Sequence, residues 1–443
     1  MKFCMLTTFF GPHSFGGDAA YVDRLSRALA RRGHEVHVIY CVDAFEAVRG
    51  EHPERSYEPC AGVTLHPLRS RWGFLSPLST QVTGRPALKK QAIRKILDQV
   101  QPDVIHFHNI SLIGGPDLVR MGQGAVRFMT AHEHWLHCAN HLLWKNDEKS
   151  CDSRQCLSCV IRARRPPQYW RETGLVERSL GYLDRLIFPT YDALERHRSV
   201  ESNVPRTVLP YFLPDDWSGG VENSPRDTGD RPYLAAAGRL VKMKGFQNLM
   251  PIMARLPGID LKIAGTGPFE AELKRLAGNA SNIEFVGLCD RKQLTRLFRD
   301  AEAVVVPSLF PETFGYVVSE AFAVKTPVIV NRGGGAIVET GELSGGGIGY
   351  DNPDQLEASI LSLVHDRDLR DRLSGRGYAV HRQDWSESSH LERYFDMIED
   401  ARTAHANNEP ARHKRPHFVD RRIHSASVSV NIADSSETSG KLS

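Results

Sequence analysis

Residues Ala301–Val330, A-E-A-V-V-V-P-S-L-F-P-E-T-F-G-Y-V-V-S-E-A-F-A-V-K-T-P-V-I-V, confine what this chain can fold into more than any other stretch. Ala303–Val306 is a β-branched run of the kind buried in a parallel sheet. Two prolines and Thr313 end that strand and lead into a predicted helix, Phe314–Val324. Thr326-Pro327 then returns the chain to a second apolar run, Val328–Val330. A strand–loop–helix–strand unit of this kind holds its ligand in the loop at the carboxyl end of the first strand. The amides around Phe314-Gly315, at the start of the helix, suit an anion. Glu312 and Glu320, on either side of that start, suit hydroxyls instead. A nucleotide sugar offers both: a diphosphate for the amides, and ribose and hexose hydroxyls for the carboxylates.

The same alternation of buried strand, loop and helix runs through the chain. Lys2–Phe10 predicts a strand, F-G-P-H-S-F-G-G a loop, Asp18–Arg32 an amphipathic helix and Glu35–Val42 a second strand. The loop lacks the G-x-G-x-x-G spacing of dinucleotide sites. Pro102–Asn109 predicts a buried strand whose end exposes His106, His108 and Asn109, and Val126–Thr130 another that leads into A-H-E-H-W. Thr207–Leu213 predicts the last strand of a first domain, and the Asp-, Gly-, Ser- and Pro-rich stretch 214–232 a linker. Tyr233–Gly238 opens a second domain and is followed by Arg239 and Lys244, two cations in a loop after a strand. Leu261–Gly267 and Ile283–Gly287 are further strands ending in glycine.

Glu312 and Glu320, spaced E-x7-E with Phe314-Gly315 after the first, resemble the signature of the retaining glycosyltransferases of family 4. Arg239-x4-Lys244-Gly245 and the S-F-G-G-D and L-A-R-R-G-H-E-V-H-V stretches near the N-terminus resemble the same family. The resemblance covers roughly residues 1–400 and implies the GT-B architecture, two Rossmann-like α/β domains facing a cleft. It implies that Arg239 and Lys244 bind the donor diphosphate and stabilise its departure without a metal. Glu312 would orient the sugar, Glu320 would hold ribose, and Phe314 and Gly315 would lie at the phosphate. Gly16 and Gly17 would let the backbone approach the phosphates, and the loops at Gly265 and Gly287 would cradle the base. His132 would contact the sugar; the family often has His-Asp where this chain has His132-Glu133. His106, His108 and Asn109 would face the acceptor, a sugar or a lipid-linked sugar, in polysaccharide or glycolipid synthesis. An epimerase or phosphorylase of the same architecture, and a non-catalytic sugar-binding protein, are the alternatives.

The expected division is a first domain over 1–213 with a Cys-rich insertion at 138–159, and a second domain over 233–384. A helix over 385–402 would cross back to the first domain, and a disordered polar tail would fill 403–443. Cys138, Cys151, Cys156 and Cys159 form C-x12-C-x4-C-x2-C, half of the eight cysteines within 22 residues. Four thiolates suit a structural zinc ion or an iron–sulfur cluster, and a complete shell leaves no position for chemistry. Arg69–Lys95 holds seven Lys or Arg and no acid, with Trp72, Phe74, Leu75 and Leu78 among them, which suits an anionic membrane surface. A second acid-free run, Arg154–Arg171, suits an anionic acceptor. The formal charge of only +3 over 443 residues argues against nucleic acid as a partner. The absence of an export signal in M-K-F-C-M-L-T-T-F-F and of any membrane-length apolar run predicts a cytoplasmic protein, with peripheral attachment through the basic segment.

Overall fold

The computed structural model describes residues 1–407 except 15, 51–56, 147, 152, 154, 228 and 230. Fifteen strands follow in chain order. They are β1 Lys2–Leu6, β2 Glu35–Cys41, β3 Val63–Leu68, β4 Val104–Phe107, β5 Val126–Thr130, β6 Trp144–Lys145, β7 Lys149–Ser150 and β8 Arg185–Phe188. The rest are β9 Arg206–Val208, β10 Tyr233–Ala237, β11 Asp260–Ala264, β12 Ile283–Gly287, β13 Ala303–Val306, β14 Val328–Asn331 and β15 Gly347–Tyr350. Seven of them form one parallel sheet in the order β3-β2-β1-β4-β5-β8-β9, and six form another in the order β12-β11-β10-β13-β14-β15. β6 and β7 make a separate antiparallel hairpin inside the predicted insertion. The expected pair of Rossmann-like parallel sheets is therefore present.

Both sheets are covered on both faces, which is why their strands read as continuous apolar runs. In β1, Phe3 and Met5 enter one apolar cluster while Cys4 and Leu6 enter another on the opposite face. In β10, Tyr233 and Ala235 join the first of these clusters, and Leu234 and Ala236 a third. The first cluster thus contains residues of both sheets, together with Trp385, Leu391, Tyr394 and Ile398. Helix Glu387–Asn407 supplies most of that bridge: Tyr394 stacks on His106 and packs against Phe3 and Phe128 of the seven-stranded sheet. Thr403–Asn407, expected to belong to the disordered tail, continue this helix, with Ala404 buried. The remainder of that tail, from 408, lies outside the described residues.

β9 is shorter than the predicted Thr207–Leu213. Pro210 cannot donate to a ladder, and the chain beyond it leaves the sheet. The Pro210 carbonyl meets His390 Nδ1 at 2.7 Å, and the Leu213 amide donates to the Trp385 carbonyl.

Strand order locates the ligand crevice in both sheets. It reverses between β1 and β4 in the first and between β10 and β13 in the second, and such switch points open a crevice beyond the strand ends. The segments following these four strands include Gly16–Asp18, His108–Leu112, Gly238–Gly245 and Pro307–Gly315, the stretches that carry most of the predicted site.

Candidate active site

One cleft of about 950 Å³ is lined from both sheets. The first contributes Gly16, Gly17, Asp18, Asn109, His132 and Glu133, and the second Arg239, Lys244, Pro307, Ser308, Phe310–Glu312 and Phe314–Val317. The loop after β13 is built to hold its shape. Glu312 exchanges backbone hydrogen bonds with the Gly334–Ala336 turn, its amide donating to the Gly334 carbonyl and its carbonyl accepting from the Ala336 amide. A side chain at Gly335 would meet Pro311 and Glu312 backbone at 2.6–3.0 Å, so only glycine allows that approach. Gly315 takes φ +83° before helix Tyr316–Ala323, and a Cβ there would meet Ile337 at 2.7 Å. Phe314 is buried behind this turn, and the first amides of the helix, which have no partner within it, open on the cleft at Gly315–Val317.

The first domain grips the same loop. Thr313 Oγ1 donates to the His132 carbonyl at 2.7 Å, Thr190 Oγ1 donates to the Thr313 carbonyl at 2.9 Å, and His134 Nε2 donates to the Pro311 carbonyl at 3.0 Å. Glu339 accepts from the Tyr191 and Asp192 amides at 3.0 and 2.8 Å, capping the helix Tyr191–Arg196. These contacts set the position of Glu312 relative to the seven-stranded sheet.

Arg239 and Lys244 differ in their partners. Lys244 Nζ is 2.8 Å from Glu312 Oε1 and 5.2 Å from the centre of the Phe310 ring. Arg239 has no carboxylate partner among the described residues, and its pKa is lowered, first by its confined surroundings and then by the neighbouring Arg49. A guanidinium placed so is stabilised by an incoming anion more than a paired one is.

On the first-domain side, Asp18 accepts a hydrogen bond from Asn109 Nδ2 at 3.2 Å. Desolvation on the cleft floor, with the charge of Glu133 adding to it, pushes the Asp18 carboxyl up to about 6. Glu133 itself pairs with His141 Nδ1 at 2.5 Å. His132 borders the cleft with both ring nitrogens engaged, by His108 Nδ1 at 2.9 Å and Tyr211 Oη at 2.5 Å. It is therefore a wall held in place rather than a free donor.

Several predicted site residues stand elsewhere. His106 is wholly buried between Tyr394 Oη and Thr130 Oγ1, and His108 lies behind His132, so of that group only Asn109 reaches the cleft. Side chains alternate along a strand, and β4 turns these two histidines into the core. Gly265 and Gly287 sit at the ends of β11 and β12, outside the cleft lining; Gly265 is required because a Cβ would meet the Gly238 carbonyl at 2.0 Å. Glu320 faces Arg24 of the first domain at 3.7 Å rather than the cleft. Gly16 and Gly17 do line it, but the group that approaches Gly17 is the Tyr316 ring, 3.2 Å from where a Cβ would stand.

The four cysteines meet at one cavity of about 20 Å³ against the β6–β7 hairpin, with Asn140 Nδ2 donating to Cys159 Sγ at 3.0 Å. All four are free thiols, and among the described residues no group of three or more His, Cys, Asp or Glu is placed to hold a metal ion. The four cysteines of the predicted metal site thus line one cavity. Asp18, Arg164 and Arg165 are among the cleft residues that sequence reasoning did not single out individually. The S-F-G-G-D stretch and the acid-free arginine run were the available signals.

Comparison with known proteins gives the family and the fold. The family models described as Glycosyltransferase Family 4 and Glycosyl transferases group 1 match residues 15–210 and 222–380, respectively. The D-inositol 3-phosphate glycosyltransferase of Arthrobacter sp. (strain FB24) is 30% identical over 410 residues, which covers 84% of this chain and 87% of the relative. The lipopolysaccharide core biosynthesis glycosyltransferase LpsE of Rhizobium meliloti (strain 1021) is 32% identical over 184 residues, 40% of this chain and 53% of that one. Among solved structures, Anabaena Alr3699/HepE in complex with UDP-glucose superposes with a TM-score of 0.62 at 14% identity, covering 90% of this chain and 99% of its own. The fold is the GT-B architecture. The chain belongs to the group 1, family-4-like glycosyltransferases.

Proposed function

We propose that this transferase moves a hexosyl unit from a nucleoside diphosphate sugar, with retention at the anomeric carbon and without a metal, to an acceptor held on the first-domain side. The observation that carries the reading is Arg239: a cation in the cleft with no carboxylate partner among the described residues, with the Lys244–Glu312 pair and the start of helix Tyr316–Ala323 in the same cleft. Arg239 and Lys244 take the diphosphate and stabilise the charge that grows on it as the glycosidic bond breaks. Glu312, held by the Gly334–Ala336 turn, accepts from a sugar hydroxyl. Glu320 takes the ribose hydroxyls once its contact with Arg24 opens. Gly16 and Gly17 keep the floor open beneath the sugar, and Asp18 with Asn109 orients the acceptor hydroxyl. The chemistry belongs to polysaccharide or glycolipid synthesis, in the cytoplasm at the inner membrane surface. The described residues contain no helix long and apolar enough to cross a membrane, so attachment would be peripheral.

The test is turnover against a panel of nucleoside diphosphate sugars, first chosen by thermal shift. Release of nucleoside diphosphate with a conserved anomeric configuration in the product is expected, in EDTA as in buffer. Release that needs no acceptor, or a product of inverted configuration, would overturn the reading.

A further inference from the structure

The four cysteines of the insertion have no part in the transfer chemistry, yet their surroundings suit a ligand. Cys138, Cys151, Cys156 and Cys159 line one void of about 20 Å³, together with Trp144 and Lys145. They come from two separate elements. Cys138 and Cys151 flank the β6–β7 hairpin, where the Cys151 amide donates to the Leu143 carbonyl at 2.7 Å. Cys156 and Cys159 stand one turn apart on helix Cys156–Arg162 and so share one of its faces. Asn140 ties the two elements together, its Nδ2 donating to the Cys159 sulfur at 3.0 Å and to the Cys159 carbonyl at 3.1 Å.

The segment is strained and has little core of its own. His141, Leu143 and Asn146 take φ of +74°, +49° and +57°, and Arg164, just past the helix, takes +55°. These are four of the six non-glycine residues of positive φ among the described residues. Such conformations persist only where surrounding contacts over-determine them. Apolar packing does not supply those contacts here. Leu157 and Ile161 turn outward, 53% and 58% exposed, and the buried apolar residues between Cys138 and Arg165 are Ala139, Trp144 and Val160. Small elements without a core are held by disulfides or by a metal, and these cysteines are free. Two further groups suit a charged centre. Lys145 is buried beside the sulfurs, and Trp144 leaves its indole Nε1 buried without a hydrogen-bond partner among the described residues. A metal held by four thiolates is an anionic centre, which attracts an ammonium and accepts from an indole N–H.

We propose that Cys138, Cys151, Cys156 and Cys159 bind one structural zinc ion, which fixes the insertion and, through it, one wall of the cleft. As free thiols they do not stand as a finished ligand set among the described residues. Neutral thiols have no attraction for one another. A zinc ion takes the place of their four protons, which pass to solvent, and draws the sulfurs to about 2.3 Å from itself. The void suits a single ion rather than an iron–sulfur cluster, since about 20 Å³ is little more than one water needs. Four sulfurs complete the tetrahedral shell, so the ion takes no part in transfer.

The insertion reaches the cleft through short links. Asn140, His141, Leu142, Arg164 and Arg165 belong to the cleft lining. His141 Nδ1 pairs with Glu133 at 2.5 Å, and the His141 carbonyl accepts from the His134 amide at 2.9 Å. His134 in turn donates to the Pro311 carbonyl, next to Glu312. Zinc at the cysteines thereby sets where Glu133 and the two arginines stand, whichever sugar is transferred.

The test uses the full chain, purified without oxygen, added metal or chelator, and measures its metal content by elemental mass spectrometry. About one zinc ion per chain is expected, lost in Cys156→Ser and in Cys159→Ser and kept in Cys289→Ser. Wild-type protein produced with cobalt in place of zinc supplies a second readout that needs no variant to fold. Four thiolates around Co²⁺ should give the strong visible bands of a tetrahedral ion and a thiolate-to-cobalt charge-transfer band in the near ultraviolet. In Cys156→Ser, hydrogen exchange should quicken across residues 138–165 while the amides of β10–β15 keep their protection. Metal-free wild-type protein, with its thiols free or paired as disulfides, would overturn the proposal, and so would cobalt protein without the thiolate band. Iron in place of zinc would overturn the choice of ion. Zinc retained by both serine variants would overturn the ligand set, and zinc lost with no change in exchange would overturn its structural role.

Discussion

Lys244 Nζ stands 2.8 Å from Glu312 Oε1, so the cation assigned to the donor diphosphate and the carboxylate assigned to its sugar neutralise each other. Arg239, by contrast, has no such partner among the described residues. The two cations should therefore respond differently to mutation. Arg239→Ala removes a cation whose charge is uncompensated and should lower kcat about 10²–10³-fold, the usual cost of losing one preorganised group. Lys244→Ala also leaves Glu312 without its partner, so Lys244→Ala/Glu312→Gln should recover part of the nucleotide affinity lost in Lys244→Ala alone. A near-wild-type kcat for Arg239→Ala would remove the basis of the assignment.

Glu320 is held against Arg24, which also lies over the Tyr316 ring at 4.4 Å and the Trp217 ring at 4.7 Å. If ribose is the ligand of Glu320, nucleotide and Arg24 compete for one carboxylate. Glu320→Ala should weaken nucleoside diphosphate binding about tenfold, an amount typical of hydrogen bonds to a charged group. Glu312→Ala should spare it, and Arg24→Ala should hold or improve it. Equal losses in Glu312→Ala and Glu320→Ala, measured by calorimetry, would show that the two roles are misassigned.

Asp18, pushed up to about 6, predicts a limb in the pH–rate profile. An ionised Asp18 accepts a charge-assisted hydrogen bond from the acceptor's hydroxyl; a protonated one accepts only a weaker, neutral one. kcat/KM should therefore rise with pH through about 6 and level off above it. Asp18→Asn should flatten that limb at a lower plateau, with nucleoside diphosphate affinity unchanged. A wild-type profile level between pH 5 and 7.5 would argue against this role.

How much of this could be read in the sequence depended on burial. β5 and β13 appear where their apolar runs predict them, because a strand covered on both faces leaves an unbroken signal. The helix Arg291–Asp300 went unread although Asp290 and Gln293 form a capping box, since its apolar positions are sparse among charges. Motif residues whose backbone is pinned locally, Arg239, Lys244 and Glu312, arrive in the cleft. Glu320 does not reach it, because Arg24 arrives from another part of the chain and takes its carboxylate. His106 and His108 miss it for a different reason. Their strand was legible, but which of its faces meets helix Glu387–Asn407 is settled by residues almost 300 positions away, His106 bonding Tyr394 at 3.0 Å.

The buried histidines have a consequence of their own. His132, His134 and His390 are lowered to about 3 and His197 to about 4, in each case chiefly by burial. In the unfolded chain they titrate near 6.5. Below that pH the unfolded state binds more protons, so stability is complete above about 6.5 and is lost as pH falls toward 3–4. Each contributes a slope of up to about 1.4 kcal/mol per pH unit. Asp18, raised rather than lowered, opposes the trend weakly between about 4 and 6. Urea midpoints should fall steeply between pH 7 and 5, and less steeply in His390→Gln. A midpoint indifferent to pH over that range would contradict the burial of these rings as neutral groups.

The basic segment Arg69–Lys95 gives the last prediction, altered by where its side chains point. Lys89, expected at the surface, is 2% exposed and is drawn inward by Ser76 and by Asp43, whose carboxylate is 3.5 Å away. Arg69 pairs with Glu46. Lys90, Arg94 and Lys95 remain exposed on helix Lys90–Val100, and Trp72, Phe74 and Leu75 are exposed at the start of the segment. Each basic residue near an anionic bilayer adds on the order of 1 kcal/mol, and inserted apolar side chains add to that, enough for reversible attachment. Wild-type protein should co-sediment with vesicles containing phosphatidylserine at low salt and be released as salt rises, the charges being screened over about 8 Å at physiological ionic strength. Lys90→Gln, Arg94→Gln and Lys95→Gln together should lower that binding with no change in nucleotide affinity or thermal midpoint. Lys89→Gln should do the reverse, lowering the midpoint by leaving Asp43 buried without its cation. Wild-type protein that stays in the supernatant at low salt would show that these residues only solvate the helix, leaving any lipid-borne acceptor to be captured by the cleft alone.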